Sequence, residues 1–154
     1  MMATLFGGDD SRTDSSISTA GARMEELLFT DEPADPDRAS ELRRELGDWL
    51  NELGVDPDRA YDVVLATYEA IANSVEHAYR DHTDRGTLDI RVLCGAQGRI
   101  DVKVTDRGDW ATRNSDPNRG RGVPLMRALA DTAAVTSDQN GTTVHMIWDA
   151  IGTS

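Results

Sequence analysis

The order of periodic segments predicts a two-layer α/β sandwich in which helices cover one face of a mixed, mostly antiparallel sheet. Three observations predict it. Two long stretches carry apolar residues at helical spacing. Two alternating segments follow around Gly95-Ala96-Gln97-Gly98, and a short helical stretch then leads into two more around Asp138-Gln139-Asn140-Gly141. At 154 residues the chain has room for one such domain with one core.

Residues 1–22 are rich in Gly, Ser, Thr and Asp without sustained periodicity, which predicts a disordered tail ahead of a domain over 23–150. Glu25 to Thr30 reads as a short first strand, and Asp31 to Asp37, with two prolines, as a turn. From Pro36 the positions Ala39, Leu42, Leu46, Trp49, Leu50 and Leu53 repeat at helical spacing, and Gly54 suits a C-terminal cap. Asp56-Pro57 opens a second helix, the acid as N-cap and the proline in the first turn, running to Tyr79 or Arg80. Its stripe Tyr61, Val64, Tyr68, Ala72, Val75 and Tyr79 is expected to press it onto the core.

Thr87 to Leu93 and Arg99 to Thr105 alternate polar and apolar residues as the two strands of a hairpin do. Asp109 to Arg119 is polar and Arg-rich, a loop. Val123 to Ala130 reads as a short helix with Pro124 in its first turn, and Thr132 to Ser137 and Thr142 to Trp148 read as the last two strands.

A net charge of −12 argues against nucleic acid or an anionic membrane as the main partner. No run reaches the length of a membrane span, and Met1 to Asp14 lacks the basic and apolar regions of a signal peptide, so the cytoplasm is the expected compartment. The single cysteine, Cys94, lies in an alternating segment and reads as a small core residue. Charge is uneven. Residues 31–62 hold eleven acids against four arginines, whereas residues 107–127 hold five arginines against two aspartates. A basic island in an acidic protein suits a small anion.

Glu69, Asn73 and His77 recur every four residues on the second helix and share one side of it. They are either a solvated flank or, lying beside the apolar stripe, the edge of a site. Gly120-Arg121-Gly122 before the third helix is either a plain turn or a place where backbone N–H groups meet an anion. Asp106, ending a strand beside Gly108, is either a turn residue or an acceptor for an exocyclic amine such as that of adenine. Gly141-Thr142-Thr143 would place a hydroxyl at the start of the last strand.

In this order, Glu-x-x-x-Asn-x-x-x-His-Ala-Tyr on a helix, Asp-x-Gly after a strand, Gly-Arg-Gly before a helix and Gly-Thr on the last strand, the sequence resembles the GHKL (Bergerat fold) ATPase superfamily. Within it the chain is most similar to anti-sigma-factor serine kinases of the RsbW and SpoIIAB type, over residues 24–149. The resemblance implies ATP and Mg²⁺ as cofactors, with Asn73 as metal ligand and Glu69 as general base. It implies that Asp106 binds the adenine amine, that Gly108 makes room for the ring, and that Gly120, Arg121, Gly122 and Val123 cradle phosphates. Thr142 or Thr143 would support the adenine end, and His77 would orient the loop or cap the site.

The implied function is phosphorylation of a serine on a STAS-domain anti-anti-sigma factor, coupled to sequestration of a sigma factor, with a homodimer as the common assembly. The alternative is an ATP-binding partner switch without phosphoryl transfer. The chain departs from the family pattern in a short loop between Trp110 and Gly120 and in the Arg-Gly-Val-Pro of residues 121–124. No phosphoacceptor-histidine hairpin and no second domain are expected within these residues.

Overall fold

The computed structural model describes residues 24–81, 86–107, 122–138 and 141–151, so the expected tail lies outside the described residues. Five strands form one sheet: β1 (Glu25–Pro33), β2 (Thr87–Cys94), β3 (Ile100–Asp106), β4 (Thr132–Asp138) and β5 (Gly141–Trp148). Their order is β1-β2-β3-β5-β4, and every pairing among the described residues is antiparallel. Three helices complete the sandwich: α1 (Pro36–Glu52), α2 (Pro57–Asp81) and α3 (Gly122–Leu129). The α+β sandwich expected from the segment order is the fold observed.

Strand alternation sets the two faces of the sheet. Across β2, β3 and β5 the register aligns the buried rows Cys94–Ile100–Trp148, Val92–Val102–Met146 and Ile90–Val104–Val144, each residue inward of its neighbours in sequence. These rows form the sheet's half of the core. Cys94 is part of it, as expected, and burial, with help from Glu25, pushes its thiol above the ordinary cysteine range.

The first strand runs further than the sequence suggests. A turn was expected from Asp31, yet β1 continues to Pro33 through a bulge between Phe29 and Glu32. Asp31 takes a left-handed conformation, φ 53°, and donates its N–H to Asp89 Oδ1 at 2.8 Å. That hydrogen bond lets the chain absorb one irregular residue and rejoin β2. The Gln97-Gly98 pair in the β2–β3 connection is also left-handed, at φ 56° and 77°, inside a single 3₁₀ turn.

Capping starts both long helices where the sequence placed them. Asp35 accepts from the N–H groups of Asp37 (2.9 Å) and Arg38 (3.2 Å), and Asp56 from those of Asp58 and Arg59 (both 3.1 Å). Gly54, with φ 77°, follows the end of α1. The buried face of α2, however, is not the aromatic stripe. Val63, Ala66, Thr67, Ala70, Ile71, Ser74 and Val75 are buried, while Tyr61 is 67% exposed and Val64, Tyr68 and Ala72 are half-buried. Small residues turn to the sheet because α2 lies close over it. Val64 instead faces Gly47 of α1, and Tyr68 lies under the Arg43 guanidinium at 5.0 Å. The side chain of Tyr79 lies outside the described residues.

Candidate functional site

The core changes character in its last row. Where the other three rows are apolar, Leu88 pairs with Asp106, Asp106 with Thr142, and Thr142 with Ser137 of β4. Asp106 is 6% exposed and Thr142 1%. Burying a carboxylate costs several kcal/mol unless it is hydrogen-bonded, so side chains must meet it there. Ser74 of α2, 3% exposed, places its Oγ 2.6 Å from Asp106 Oδ2. Thr142 Oγ1 and Ser137 Oγ are 2.8 Å apart, and either can donate.

Buried polar side chains among the described residues are Thr67, Ser74, Asp106 and Thr142. Three of the four therefore gather at one end of the sandwich, where α2 meets the end of β3. Strand phase also separates the two threonines. Thr142 shares the inward face with Asp106, whereas Thr143 points outward and lies 3.4 Å from Thr105 across the strands. Gly141 packs on the end of β3 with φ 151°, and a Cβ there would lie 2.0 Å from the Asp106 carbonyl oxygen.

Glu69 and Asn73 stand on α2 one turn apart, both half-buried. Stepping 100° per residue from Ser74 places Asn73 at the flank of the sheet-facing side away from the one that meets α1. Neither side chain hydrogen-bonds or ion-pairs with a described residue. In a half-buried position, an amide without a partner has donor and acceptor capacity left for a ligand. His77 follows on the same helix, but its side chain lies outside the described residues, as do Gly108, Gly120 and Arg121.

Gly122 is the first residue of α3, so the glycine pair leads into a helix N-terminus as the sequence suggested. Val123 buries its side chain, at 3% exposure, and Trp148 Nε1 donates to the Leu129 carbonyl at 2.9 Å at the other end of the helix. α3 packs on α2, so its first turn is fixed relative to the Asn73 helix.

The basic island divides. Arg107 lies next to Asp106 in sequence but on the opposite face, bridging Asp31 (3.5 Å) and Asp89 (3.6 Å). Arg127 is exposed in the last turn of α3, and Arg113, Arg119 and Arg121 lie outside the described residues. Ser74 is the residue that sequence reasoning missed. Its one signal was a hydroxyl on the sheet-facing side of α2, legible only once that side was known.

The donor set fits a nucleotide better than a preformed metal centre. Among the described residues no three of His, Cys, Asp and Glu gather as metal ligands, while the Asn73 amide has no partner among them on a helix that packs against α3. A single amide suits Mg²⁺ held mostly by phosphates and water. Among the described residues no helix is long and apolar enough to cross a membrane.

Residues 32–148 match the model of the histidine kinase-like ATPase domain. The chain is 28% identical over 141 residues to the serine-protein kinase RsbW of Bacillus licheniformis, covering 80% of this chain and 86% of the relative. To the RsbW of Bacillus velezensis it is 30% identical over 130 residues, covering 74% and 79%. A crystal structure of the RsbU and RsbW domains of a Mycobacterium tuberculosis protein superposes with a TM-score of 0.65 at 27% identity, covering 81% of this chain and 32% of the larger one.

Proposed function

We propose that this chain, which belongs to the histidine kinase-like ATPase domain family, is an ATP-dependent serine-protein kinase acting on a STAS-domain anti-anti-sigma factor and an anti-sigma factor that sequesters a sigma factor. The observation that carries the nucleotide part is the convergence of Ser74, Asp106 and Thr142 in one buried polar row beside Asn73. Support for the protein substrate comes from the two bacillar relatives named serine-protein kinase RsbW. The cytoplasm is the compartment this reading requires.

Asp106 would accept the adenine amine, with Thr142 beside it across the strand pair and Gly108 leaving space for the ring. Phosphates would lie toward Gly120, Arg121, Gly122 and Val123, where the free N–H groups of the first turn of α3 attract negative charge. Asn73 would hold Mg²⁺, with His77 near the loop. When bound, the metal would neutralise charge on the phosphates.

Glu69, one turn from Asn73, would take the proton of the partner's serine hydroxyl as it attacks the γ-phosphate. A carboxylate held half-buried without an ion-pair partner among the described residues is poised for that job. Incubation with labelled ATP and candidate STAS proteins tests the assignment. Glu69→Ala should lower transfer by about 10²–10⁴-fold, the usual contribution of general-base catalysis, while leaving ATP affinity within a few-fold. Label transfer surviving in Glu69→Ala at the native rate would remove that role.

A second reading, an ATP-binding partner switch without transfer, is motivated by the short loop and the Arg-Gly-Val-Pro of residues 121–124. It predicts tight ATP binding and partner capture with no labelled product from any STAS protein.

A further inference from the structure

We infer that Ser74 is a specificity-determining positioning residue, orienting the Asp106 carboxylate so that the nucleotide site accepts a 6-amino purine. This rests on the reading of Asp106 as the base-binding acid.

The geometry is specific. Ser74 Oγ has one proton and two described acceptors, Asp106 Oδ2 at 2.6 Å and the Ala70 carbonyl at 3.3 Å. A distance of 2.6 Å is that of a charge-assisted O–H···O⁻ bond, so the proton goes to the carboxylate. The longer contact to Ala70 is the back-bond that a helical serine makes when nothing better is present. Both partners are buried, Ser74 at 3% and Asp106 at 6%, so water competes little for this bond.

Base recognition needs such a constraint. The terminal torsion of an aspartate is broad, and strand geometry alone leaves the plane of its carboxylate loosely set. A hydrogen bond from an exocyclic amine is directional, and an acid turned out of plane loses it. Ser74 fixes one oxygen from above, from the helix layer, while β3 fixes the Cα from below. Ser74 also adjoins Asn73 on α2. The same rigid helix thus sets the acid at the base end and carries Glu69 and Asn73 toward the phosphate end, so the two ends of the site share one frame.

The test compares ATP with purine riboside triphosphate, which lacks the 6-amino group, by calorimetry on the full chain. Native protein should bind ATP more tightly than the desamino nucleotide, and the ratio of the two Kd values measures amine recognition. In Ser74→Ala that ratio should fall about tenfold, with the Kd of the desamino nucleotide unchanged within about twofold, as expected for a mis-set hydrogen bond to a charged group. Ser74→Cys, close in volume but a weak donor, should lie between the two and serves if the alanine variant does not fold.

In an Asp106→Asn background the Ser74→Ala change should leave the ratio unaltered, because the pair then acts as one unit. A ratio unchanged in the single variants, or equal losses for both nucleotides, would overturn the positioning role while leaving Asp106 as the base-binding acid. A native protein that binds ATP no better than the desamino nucleotide would instead remove the role of Asp106, and this inference with it.

Discussion

Gly141 shows how little room the candidate site leaves for change. At Gly141 a Cβ would meet the Asp106 carbonyl at 2.0 Å and the Arg107 Cα at 3.1 Å, all backbone that cannot swing aside. Gly141→Ala should therefore cost about 2–4 kcal/mol in urea unfolding and weaken ATP binding, since relief of the clash displaces Asp106. Thr67 presents the opposite case. Its Oγ1 is buried with no hydrogen-bond partner among the described residues, an uncompensated desolvation inside α2. Thr67→Val keeps the shape and removes the orphaned hydroxyl, and should raise stability by about 1 kcal/mol in the same assay.

Residue-level placement was unevenly legible. Asp106 could be placed near the end of a strand because the alternation before it is a local pattern. Thr142 and Thr143 could not be separated, because the choice depends on which face of β5 each occupies, and that phase is set by pairing with β3. Ser74 was illegible for a similar reason, since its partner lies 32 residues away.

Among the elements, caps and strands followed the sequence closely because their signals are local. Asp35 and Asp56 cap the two long helices, and β2, β3, β4 and β5 fall within a residue or so of the expected alternating segments. The orientation of α2 did not follow. Its tyrosines make the more conspicuous stripe, but a helix wedged between α1, α3 and a sheet has apolar residues on most of its surface, and small side chains permit the closest approach to the sheet. The two assignments make different predictions. Tyr61→Ser should leave stability within about 0.5 kcal/mol, whereas Ile71→Ala should cost about 2–4 kcal/mol, both read from denaturant midpoints.

For the molecule as a whole, the sandwich was legible and the strand order was not. Which segment is helix and which is strand follows from periodicity, but the placing of β5 between β3 and β4 follows from tertiary pairing. Long-range contacts then fasten the far end: Arg59 Nη1 donates to the carbonyls of Gly98 and Asp149, both at 2.7 Å, joining the start of α2 to the β2–β3 turn and to the segment after β5. A ligand that binds only the folded sandwich must stabilise it as a unit. ATP with Mg²⁺ at 100 times its Kd should add about 2.7 kcal/mol, read as a rise in Tm that continues with the logarithm of nucleotide concentration. An unchanged Tm at saturating nucleotide would count against the site.

The four-row ladder of β2, β3 and β5 also determines how the gene can change in length. Deleting or inserting a single codon inside β3 reverses the parity of every residue after it, turning Asp106 outward and bringing an outward neighbour into its place. The same change in the Gly95–Gly98 turn lies between β2 and β3, outside either strand, and leaves the parity within β3 intact. Length variation compatible with the buried acid therefore belongs to the connections between strands, and β3 and β5 must be inherited at fixed length.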